Sequence, residues 1–350
     1  MRTEPDGFDK GSLIELLHDR YLLEVADLAF VPYGIDSWSY VATDRHGNRC
    51  FVKLTQDEST GVATAWEMPL MAALAAVAVP VPRPIADRDG RYINALGHRH
   101  VRVLEYLQGH TLEHEAEWPD DILARVAETV ARIHASTSSV RQLVPRVEDF
   151  DLPFIPSLSE ALAAFEQGGR LRGDDTTVST LGEMVVPRAR DIHAAITRLQ
   201  QLRDFASDRH ADEVLCHTDI WGSNLMLADD GVLHVLDWDG ALIGPPERDL
   251  FMFAGTSFFP AARLAWFLDR YDAVFRPTRL DAEAFGFYLY RRNLEDFAWF
   301  VAAIAQGRHE AMAPDAMLAI AADLLSEIRP METQIDRVRE VLTARRGADR

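Results

Sequence analysis

The chain has 350 residues, of which 48% are hydrophobic and 26% are charged, a composition typical of a globular protein with one large core or two smaller ones. Its 36 Lys and Arg residues against 55 Asp and Glu residues give a formal net charge of −19, which repels polyphosphate backbones and disfavours nucleic acid as a partner. This acidic balance favours a cationic small molecule as a partner, or alternatively serves solubility alone.

The cysteine content and the apolar segments exclude further classes of protein. Only Cys50 and Cys216 occur, too few for a disulfide framework or a four-ligand zinc site, and both are predicted to be buried thiols in strands. The N-terminal segment has no apolar run followed by a small-residue cleavage site, which predicts a cytoplasmic protein. The apolar stretch at residues 68–82 contains three prolines and is shorter than the roughly 20 residues of a membrane span, so no membrane crossing is predicted.

The N-terminal third of the chain predicts a small α+β lobe. Residues 29–54 alternate strand patterns with turn signals, which predicts a three-stranded antiparallel meander. A helix rich in Ala, Met and Leu follows at residues 64–79 and ends at a Val-Pro-Val-Pro run, because a proline disfavours the helical conformation of the residue before it. Two more strands, at residues 91–94 and 99–106, complete a lobe that is predicted to span residues 1–106.

From residue 107 to residue 350 the periodicity is mainly helical and predicts a larger second lobe. Two short strands, at residues 214–216 and 232–236, flank a polar loop. Residues 145–156 and 168–180 are rich in turn-forming residues and predict loops that could cover a site. Amphipathic helices are predicted at residues 120–136, around residues 192–199, and at residues 261–275 and 281–305.

A cluster of polar residues follows each of the two short strands. The first reads His217-Thr-Asp219-Ile-Trp-Gly-Ser-Asn224, and the second reads Asp237-Trp-Asp239. Phosphoryl transfer requires a group that deprotonates a hydroxyl, and it requires oxygen ligands that hold Mg²⁺ against nucleotide phosphates. Asp219 is expected to accept the proton of the substrate hydroxyl, while Asn224 and Asp237 are expected to bind magnesium. His217 is expected to belong to the same group of catalytic residues, with the structural role of orienting the loop.

The alternative interpretation of the cluster is an ordinary polar turn between two apolar strands, since each of these residue types is common in turns and caps. The spacing argues against that alternative. The pattern is H-x-D-x-x-x-x-N, with a further acid 18 residues beyond the first Asp. Because the whole pattern matches the needs of one reaction, it favours phosphoryl transfer.

These residues, their spacing and the order of the lobes resemble the aminoglycoside phosphotransferase and choline kinase family. The resemblance covers most of the chain and is strongest over Val214–Gly255, where Asp237-Trp-Asp-Gly-Ala-Leu-Ile-Gly-Pro-Pro-Glu-Arg-Asp249-Leu looks most like spectinomycin-type phosphotransferases. It implies an α+β, two-lobed protein-kinase-like fold. The N-terminal lobe would hold a small antiparallel sheet with one main helix, and the larger C-terminal lobe would be mainly helical.

The resemblance also implies roles for acids and a lysine outside the loop. Asp249 would be a buried acid that supports the catalytic loop, and Asp239 would be either a further metal ligand or a solvated neighbour. Lys53, on the third strand, would contact nucleotide phosphates, although a lone strand lysine is often only an exposed edge residue. Glu67, on the following helix, would form an ion pair that holds Lys53 in place.

Further binding residues are implied for the nucleotide and for the substrate. The segment at residues 33–39, which includes Ser37, would cover the phosphates although it lacks a glycine-rich repeat. The connector from Glu105 to Leu107 would offer its backbone to adenine. Glu295 and Asp296 would bind amines of the substrate, or alternatively form a solvated helix face.

The function implied by the resemblance is transfer of the γ-phosphate of ATP or GTP, with Mg²⁺, to a hydroxyl of an antibiotic such as an aminoglycoside or aminocyclitol, giving resistance. A cationic or polyhydroxylated small molecule would be the partner, with neither nucleic acid nor membrane, in a monomer or homodimer. The alternatives are a metabolic kinase for an amino alcohol or sugar, and a phosphotransferase for a nucleoside or peptide antibiotic. An alternative of a different class is a catalytically inactive nucleotide-binding module.

Overall fold

The computed structural model describes residues 4–348, except for residue 6 and residues 33–36, 56–63, 115–117, 168–175, 210–211, 255–258, 260–262 and 308–311. Contacts divide the chain into two compact units. The first unit contains Met1–Val147 and Leu215–Ile243, and the second contains Glu148–Val214 and Gly244–Arg350. The lobes predicted from the sequence, residues 1–106 and 107–350, stay a prediction.

The first unit contains an antiparallel sheet of five strands, which confirms the predicted meander and the two strands after it. The strands lie in the order β1-β2-β3-β5-β4. Side chains alternate across a strand, so Cys50, Val52 and Leu54 on β3 enter a buried apolar core, and Lys53 points to the opposite face. The strand bounds are Val25–Val31 for β1, Ser37–Asp44 for β2, Arg49–Thr55 for β3, Ile93–Leu96 for β4 and Arg99–Glu105 for β5.

Two helices accompany this sheet in the described residues, where the sequence predicted one main helix. The additional helix, Lys10–Tyr21, begins at Asp9, whose carboxylate accepts a hydrogen bond from the backbone of Gly11 at 2.9 Å. Its buried Leu13 and Leu17 lie one turn apart and join the core of the sheet, which is the signal that could have revealed it. The predicted helix is present as Glu67–Ala76.

The rest of the first unit positions the polar loop. A three-stranded sheet has the order β6-β8-β9, and residues 215–216 and 242–243 belong to a two-stranded sheet. The additional strands are β6 Gly109–Thr111, β7 Val214–Cys216, β8 Leu225–Ala228, β9 Leu233–Val235 and β10 Leu242–Gly244. The helices of this part are Asp120–Ala135, which was predicted, and the short Thr137–Val140.

The second unit is helical. Its longest helix, Ala282–Ala305, begins at Asp281, whose side chain accepts a hydrogen bond from the backbone of Glu283. Residues 176–180, predicted as loop, lie in the helix Thr176–Val185, because Val178, Leu181 and Val185 share a buried face. The other helices are Ile155–Glu166, Ala189–Arg209, Glu247–Leu250, Leu264–Asp272, Pro314–Glu327 and Met331–Ala348. In the described ranges, no helix is both long enough and apolar enough to span a membrane.

Candidate active site

The polar loop between β7 and β8 is a compact turn held by its own backbone. The Trp221 amide donates to the Asp219 carbonyl at 2.9 Å, and the Asn224 amide donates to the Trp221 carbonyl at 2.8 Å. Thr218 has a φ of 78°, a left-handed conformation that is strained for a β-branched residue. Such strain persists only where the surroundings impose it, and the Thr218 hydroxyl donates to the carbonyl of Gly240 at 3.2 Å.

His217 is fully buried and connects the loop to the segment after β9. Its Nε2 lies 2.8 Å from the carbonyl oxygen of Leu236, and its Nδ1 accepts from the backbone amide of Asp219 at 3.3 Å. These partners assign the proton to Nε2, because a carbonyl oxygen can only accept and an amide can only donate. The ring also lies edge-on to Trp238, with centroids 4.8 Å apart. This arrangement is consistent with the orienting role expected of His217.

Asn224 orients the side chain of Asp219. Its Nδ2 donates to Oδ2 of Asp219 at 2.8 Å and to the Asp219 carbonyl oxygen at 3.0 Å. Because the amide nitrogen is used in this way, the amide oxygen is the atom of Asn224 that could bind a metal. The Asn224 carbonyl also accepts from the backbone amide of Leu236 at 2.8 Å, which fixes the loop against the residue before Asp237.

Lys53 and Asp237, 184 positions apart in the chain, form an ion pair within the first unit. Nζ of Lys53 lies 2.6 Å from Oδ1 of Asp237. Asp237 has a φ of 62°, so it lies in the left-handed region, as Thr218 does in the polar loop. The positive charge of Lys53 is the main cause that lowers the pKa of Asp237, against burial, which acts to raise it. Asp237 is therefore ionised at neutral pH.

The predicted pairing of Lys53 with Glu67 is not the contact that this structure contains. Glu67 forms its ion pair with Arg102, whose Nη1 lies 2.7 Å from Oε2 of Glu67, while Lys53 contacts Asp237. Glu67 nevertheless acts on Lys53 electrostatically. Burial would lower the pKa of Lys53, but the charge of Glu67, followed by that of Asp237, raises it above the ordinary value.

The residues expected to bind magnesium have oxygen donors that suit this ion. Mg²⁺ prefers carboxylate and amide oxygens, which Asn224, Asp237 and Asp239 supply. The side chain of Asp237 is 47% exposed, so it could reach a ligand in solvent. Asp239 lies in the turn after Trp238, is half-buried, and its carbonyl accepts a hydrogen bond from Arg146. These residues fit a magnesium site, and their roles as ligands stay predictions.

The predicted nucleotide-binding connector begins at Glu105, the last residue of β5. The carboxylate of Glu105 accepts hydrogen bonds from the backbone amide and the Nε of Arg83, at 2.9 and 2.8 Å. The guanidinium of Arg49 lies over the ring of Tyr106, with Cζ of Arg49 4.1 Å from the ring centroid. Within the described part of the chain, the backbone of Leu107 makes no hydrogen bond, so it could bond to the adenine ring of a nucleotide. Its role stays a prediction.

Ser37 is buried at the start of β2 and lies opposite Thr55 of β3. The residues that precede it in the predicted phosphate-covering segment, Tyr33-Gly34-Ile35-Asp36, lie outside the described residues. The contribution of Ser37 to phosphate binding therefore stays a prediction.

Three predicted residues belong to the second unit. Asp249 is buried on the helix Glu247–Leu250, and its supporting role stays a prediction. Glu295 lies 3.7 Å from Arg291, and Asp296 lies 2.7 Å from Arg292, each pair one turn apart on the helix Ala282–Ala305. These pairings partly neutralise both acids and favour the alternative of a solvated helix face.

Sequence reasoning missed two arginines in the first unit. Arg102 is buried on β5 between Val101 and Val103, and an arginine inside an apolar strand pattern was the available signal. Arg146 donates to the Asp239 carbonyl and lies over the ring of Trp66, at 5.3 Å from its centroid. No local pattern marks Arg146, because its partners are distant in the chain.

Comparison with known proteins agrees with the fold. The family model described as the phosphotransferase enzyme family matches residues 27–288. The protein StrN of Streptomyces griseus is 24% identical over 260 residues, which cover 69% of this chain and 75% of the relative. A homoserine kinase of Methylobacillus flagellatus is 23% identical over 263 residues, which cover 72% of each chain.

A solved structure shares the fold. Spectinomycin phosphotransferase, in complex with ADP and spectinomycin, has a TM-score of 0.74 and 17% identity, and the match covers 92% of this chain and 98% of that chain. The predicted protein-kinase-like fold is thereby confirmed. Because the family model covers well over half of the sequence, this chain belongs to the phosphotransferase enzyme family.

Proposed function

We propose that this protein is a magnesium-dependent kinase that transfers the γ-phosphoryl group of ATP or GTP to a hydroxyl of a small-molecule antibiotic. The observation that carries the proposal is the pairing of Asp219 with Asn224 at 2.8 Å, together with the Lys53–Asp237 pair at 2.6 Å, within one unit of the chain. Phosphoryl transfer needs a base, metal ligands and a cation for the phosphates, and these four side chains supply all three.

Asp219 is proposed as the group that receives the proton. The hydroxyl oxygen attacks the γ-phosphorus in line, the bond to the bridging oxygen breaks, the nucleoside diphosphate leaves, and the hydroxyl proton passes to the Asp219 carboxylate. Asn224 holds that carboxylate through Oδ2, so its orientation is set before substrate binds. His217 keeps the loop in place through the backbone of Leu236.

Asn224 and Asp237, with Asp239 as a further ligand, are proposed to hold Mg²⁺. When bound, the ion neutralises the charge that develops on the transferring phosphoryl group. Lys53 is proposed to contact the nucleotide phosphates, and the backbone of the connector from Glu105 to Leu107 is proposed to bind the base. The cytoplasm, which supplies ATP and Mg²⁺, is the proposed location.

An aminoglycoside or aminocyclitol is the proposed acceptor. The net charge of −19 favours a substrate that carries amines, and spectinomycin is bound by a phosphotransferase of the same fold. Nucleoside and peptide antibiotics are alternative acceptors. Glu295 and Asp296 are proposed as amine-binding residues only if substrate displaces their arginine partners.

A metabolic kinase for an amino alcohol or sugar is the second candidate function. The relative named homoserine kinase, whose substrate name denotes a hydroxyl-bearing amino acid, favours it. The two candidates share the chemistry assigned to Asp219 and differ only in the acceptor.

A coupled assay of nucleoside diphosphate release against antibiotics, amino alcohols and sugars decides between the two functions. Product analysis by ³¹P NMR and mass spectrometry would locate the phosphate on the acceptor. Phosphorylation of an aminocyclitol supports the first function, and phosphorylation confined to amino alcohols or sugars supports the second. If Mg-nucleotide binds but no acceptor in any class is phosphorylated, the inactive nucleotide-binding module would replace both.

A further inference from the structure

Arg146 contacts both ends of the segment from Asp239 to Ile243. Its guanidinium donates through Nη2 to the carbonyl oxygen of Asp239. Its own carbonyl oxygen accepts a hydrogen bond from the backbone amide of Ile243 at 3.0 Å, and the adjacent residue Val147 forms a parallel β-bridge with Ile243. A single residue therefore holds this segment at two points, one through its side chain and one through its backbone.

The guanidinium of Arg146 also contacts the start of a helix. Its Cζ lies 5.3 Å from the ring centroid of Trp66, and a cation at such a distance is attracted to the negative face of the indole ring. Trp66 directly precedes the helix Glu67–Ala76, and its carbonyl oxygen accepts from the backbone amide of Leu70 at 3.2 Å. Arg146 therefore links Asp239 to the first turn of a helix that is distant in the chain.

The hydrogen bond from Arg146 uses the backbone of Asp239 and not its carboxylate. Mg²⁺ binds carboxylate oxygens, so this bond can persist while the side chains of Asp237 and Asp239 hold the ion. The contact of Lys53 differs, because it involves the carboxylate of Asp237 itself. Groups that orient metal ligands without competing for the metal are a general part of metal sites.

The turn that carries the two proposed metal ligands needs such support. Asp237 has a φ of 62°, a conformation that a non-glycine residue keeps only where the surroundings impose it. Trp238 fixes the middle of the turn, because its ring is buried and its Nε1 donates to the Val235 carbonyl at 3.0 Å. Arg146 fixes the next residue, Asp239. Both contacts therefore restrict the directions in which the carboxylates can point.

We propose that Arg146 is a positioning residue for the magnesium site, which fixes the turn with Asp237 and Asp239 through its contact with Trp66. The inference rests on the proposed kinase function. Arg146 is an exposed residue, so its removal should change the stability of the fold little. Its effect should appear in the metal-dependent part of nucleotide binding, because Mg²⁺ demands a nearly ideal octahedral arrangement of its ligands.

Titration calorimetry of AMP-PNP, a nonhydrolysable ATP analogue, in Mg²⁺ and in EDTA tests this role without any acceptor. The gain in affinity from the metal should fall by about 10-fold in Arg146→Met, the lower end of the usual effect of residues that orient metal ligands. The affinity in EDTA should stay at the wild-type value, because the variant loses no contact with the nucleotide. A residue that only stabilised the fold would not produce this separation.

Trp66→Leu tests the second contact of Arg146. Loss of the indole ring should reduce the gain in affinity from the metal by about 2- to 5-fold, the fold-change that corresponds to an exposed cation–π contact. The losses of Trp66→Leu and Arg146→Met should not add in the double variant, because each change breaks the same contact. Fully additive losses would overturn the link between Arg146 and Trp66.

Two results for Arg146→Met would overturn the positioning role. An equal loss of affinity in Mg²⁺ and in EDTA would mean that Arg146 acts on the nucleotide or on the whole fold. An unchanged gain from the metal would mean that the turn keeps its geometry without Arg146. Thermal unfolding of each variant sets a temperature at which all are folded. If Arg146→Met does not fold, Trp66→Leu decides, and an unchanged gain in that variant would contradict the proposal.

Arg88→Met is the matched control, because it removes the same charge from an exposed position of the same unit. Its affinities in Mg²⁺ and in EDTA should equal those of the wild type. If the wild-type protein bound AMP-PNP no more tightly in Mg²⁺ than in EDTA, the proposed function itself would be contradicted. A wild-type gain that Arg146→Met retains in full would contradict only the role of Arg146.

Discussion

The side-chain amide of Asn224 donates to the carboxylate of Asp219, with Nδ2 2.8 Å from Oδ2. This bond joins the proposed base to a proposed metal ligand, so the orientation of one depends on the other. The carbonyl of Asn224 also receives the amide of Leu236, the residue before Asp237. Asp219, Asn224 and Asp237 are therefore connected through hydrogen bonds and the backbone. A substitution at each of them should have a distinct effect.

Asp219→Asn should abolish most of the turnover and preserve nucleotide binding. Asparagine has nearly the same shape and can still accept the hydrogen bond from Asn224, but it cannot take up the substrate proton. Turnover of whichever acceptor the screen identifies should fall by about 10²- to 10⁴-fold, while the Kd of Mg·AMP-PNP stays close to the wild-type value. Asp27→Asn, at an exposed position of β1, is the control. Unchanged turnover in Asp219→Asn would remove Asp219 from the mechanism.

Asp237→Asn should make nucleotide binding insensitive to magnesium. The carboxylate of Asp237 is the charged member of the proposed ligand set that contacts Lys53, and an amide binds Mg²⁺ much more weakly. Calorimetric titrations of AMP-PNP in Mg²⁺ and in EDTA would measure the gain in affinity from the metal. The wild type and the exposed control Asp229→Asn should show that gain, and Asp237→Asn should lose most of it. A full gain in Asp237→Asn would assign the metal to other residues.

Gly222→Ala should destabilise the polar loop between β7 and β8. A Cβ at this position would lie 2.8 Å from the carbonyl oxygen of Leu112, a backbone atom that cannot turn aside. Overpacking of this kind costs about 1–3 kcal/mol, and the displaced loop should also reduce turnover. Gly347→Ala is the matched control, because a Cβ there meets nothing within 4 Å. Urea denaturation would measure the free energy of unfolding of both variants. If Gly222→Ala were as stable as Gly347→Ala, the backbone at Leu112 would accommodate the added Cβ at no cost.

Glu247→Gln should stabilise the protein in neutral and alkaline solution but not in acid. Burial is the largest cause that raises the pKa of Glu247, from 4.5 to about 7. Between these values the native state keeps a proton that the unfolded chain releases, so stability falls as pH rises through this window and the loss is complete above about pH 7. Glutamine avoids that loss and can still accept the hydrogen bond from the Asp281 amide, which now measures 2.7 Å.

Denaturation of Glu247→Gln and wild type at pH 4.5 and pH 8 would measure this linkage. The free energy of unfolding of Glu247→Gln relative to wild type should be roughly 2–3 kcal/mol higher at pH 8 than at pH 4.5. Glu340→Gln, at an exposed position of the same unit, should show no such difference. A constant difference between Glu247→Gln and wild type would mean that Glu247 does not titrate in this range.

The sequence by itself determined which residues form the centre of the proposed site, because these residues lie close together in the chain. The spacing of His217, Asp219 and Asn224 places them in one loop between two short strands, and Asp237 follows the next strand directly. Period-two patterns likewise predicted the strands of the five-stranded sheet, since side chains alternate between its faces. The N-terminal helix Lys10–Tyr21 escaped prediction although its cap and buried leucines are local.

Only the tertiary structure decided which cation pairs with which acid. Lys53 and Arg102 are 49 residues apart in the chain, and the register of β3 and β5 places them opposite each other. Of the two, Arg102 forms the ion pair with Glu67. The family resemblance implied Lys53 as the partner of Glu67, but Glu67 pairs with the buried guanidinium of Arg102, and Lys53 pairs with Asp237. Ion pairs between distant segments depend on strand register and helix packing, and no local sequence pattern encodes them.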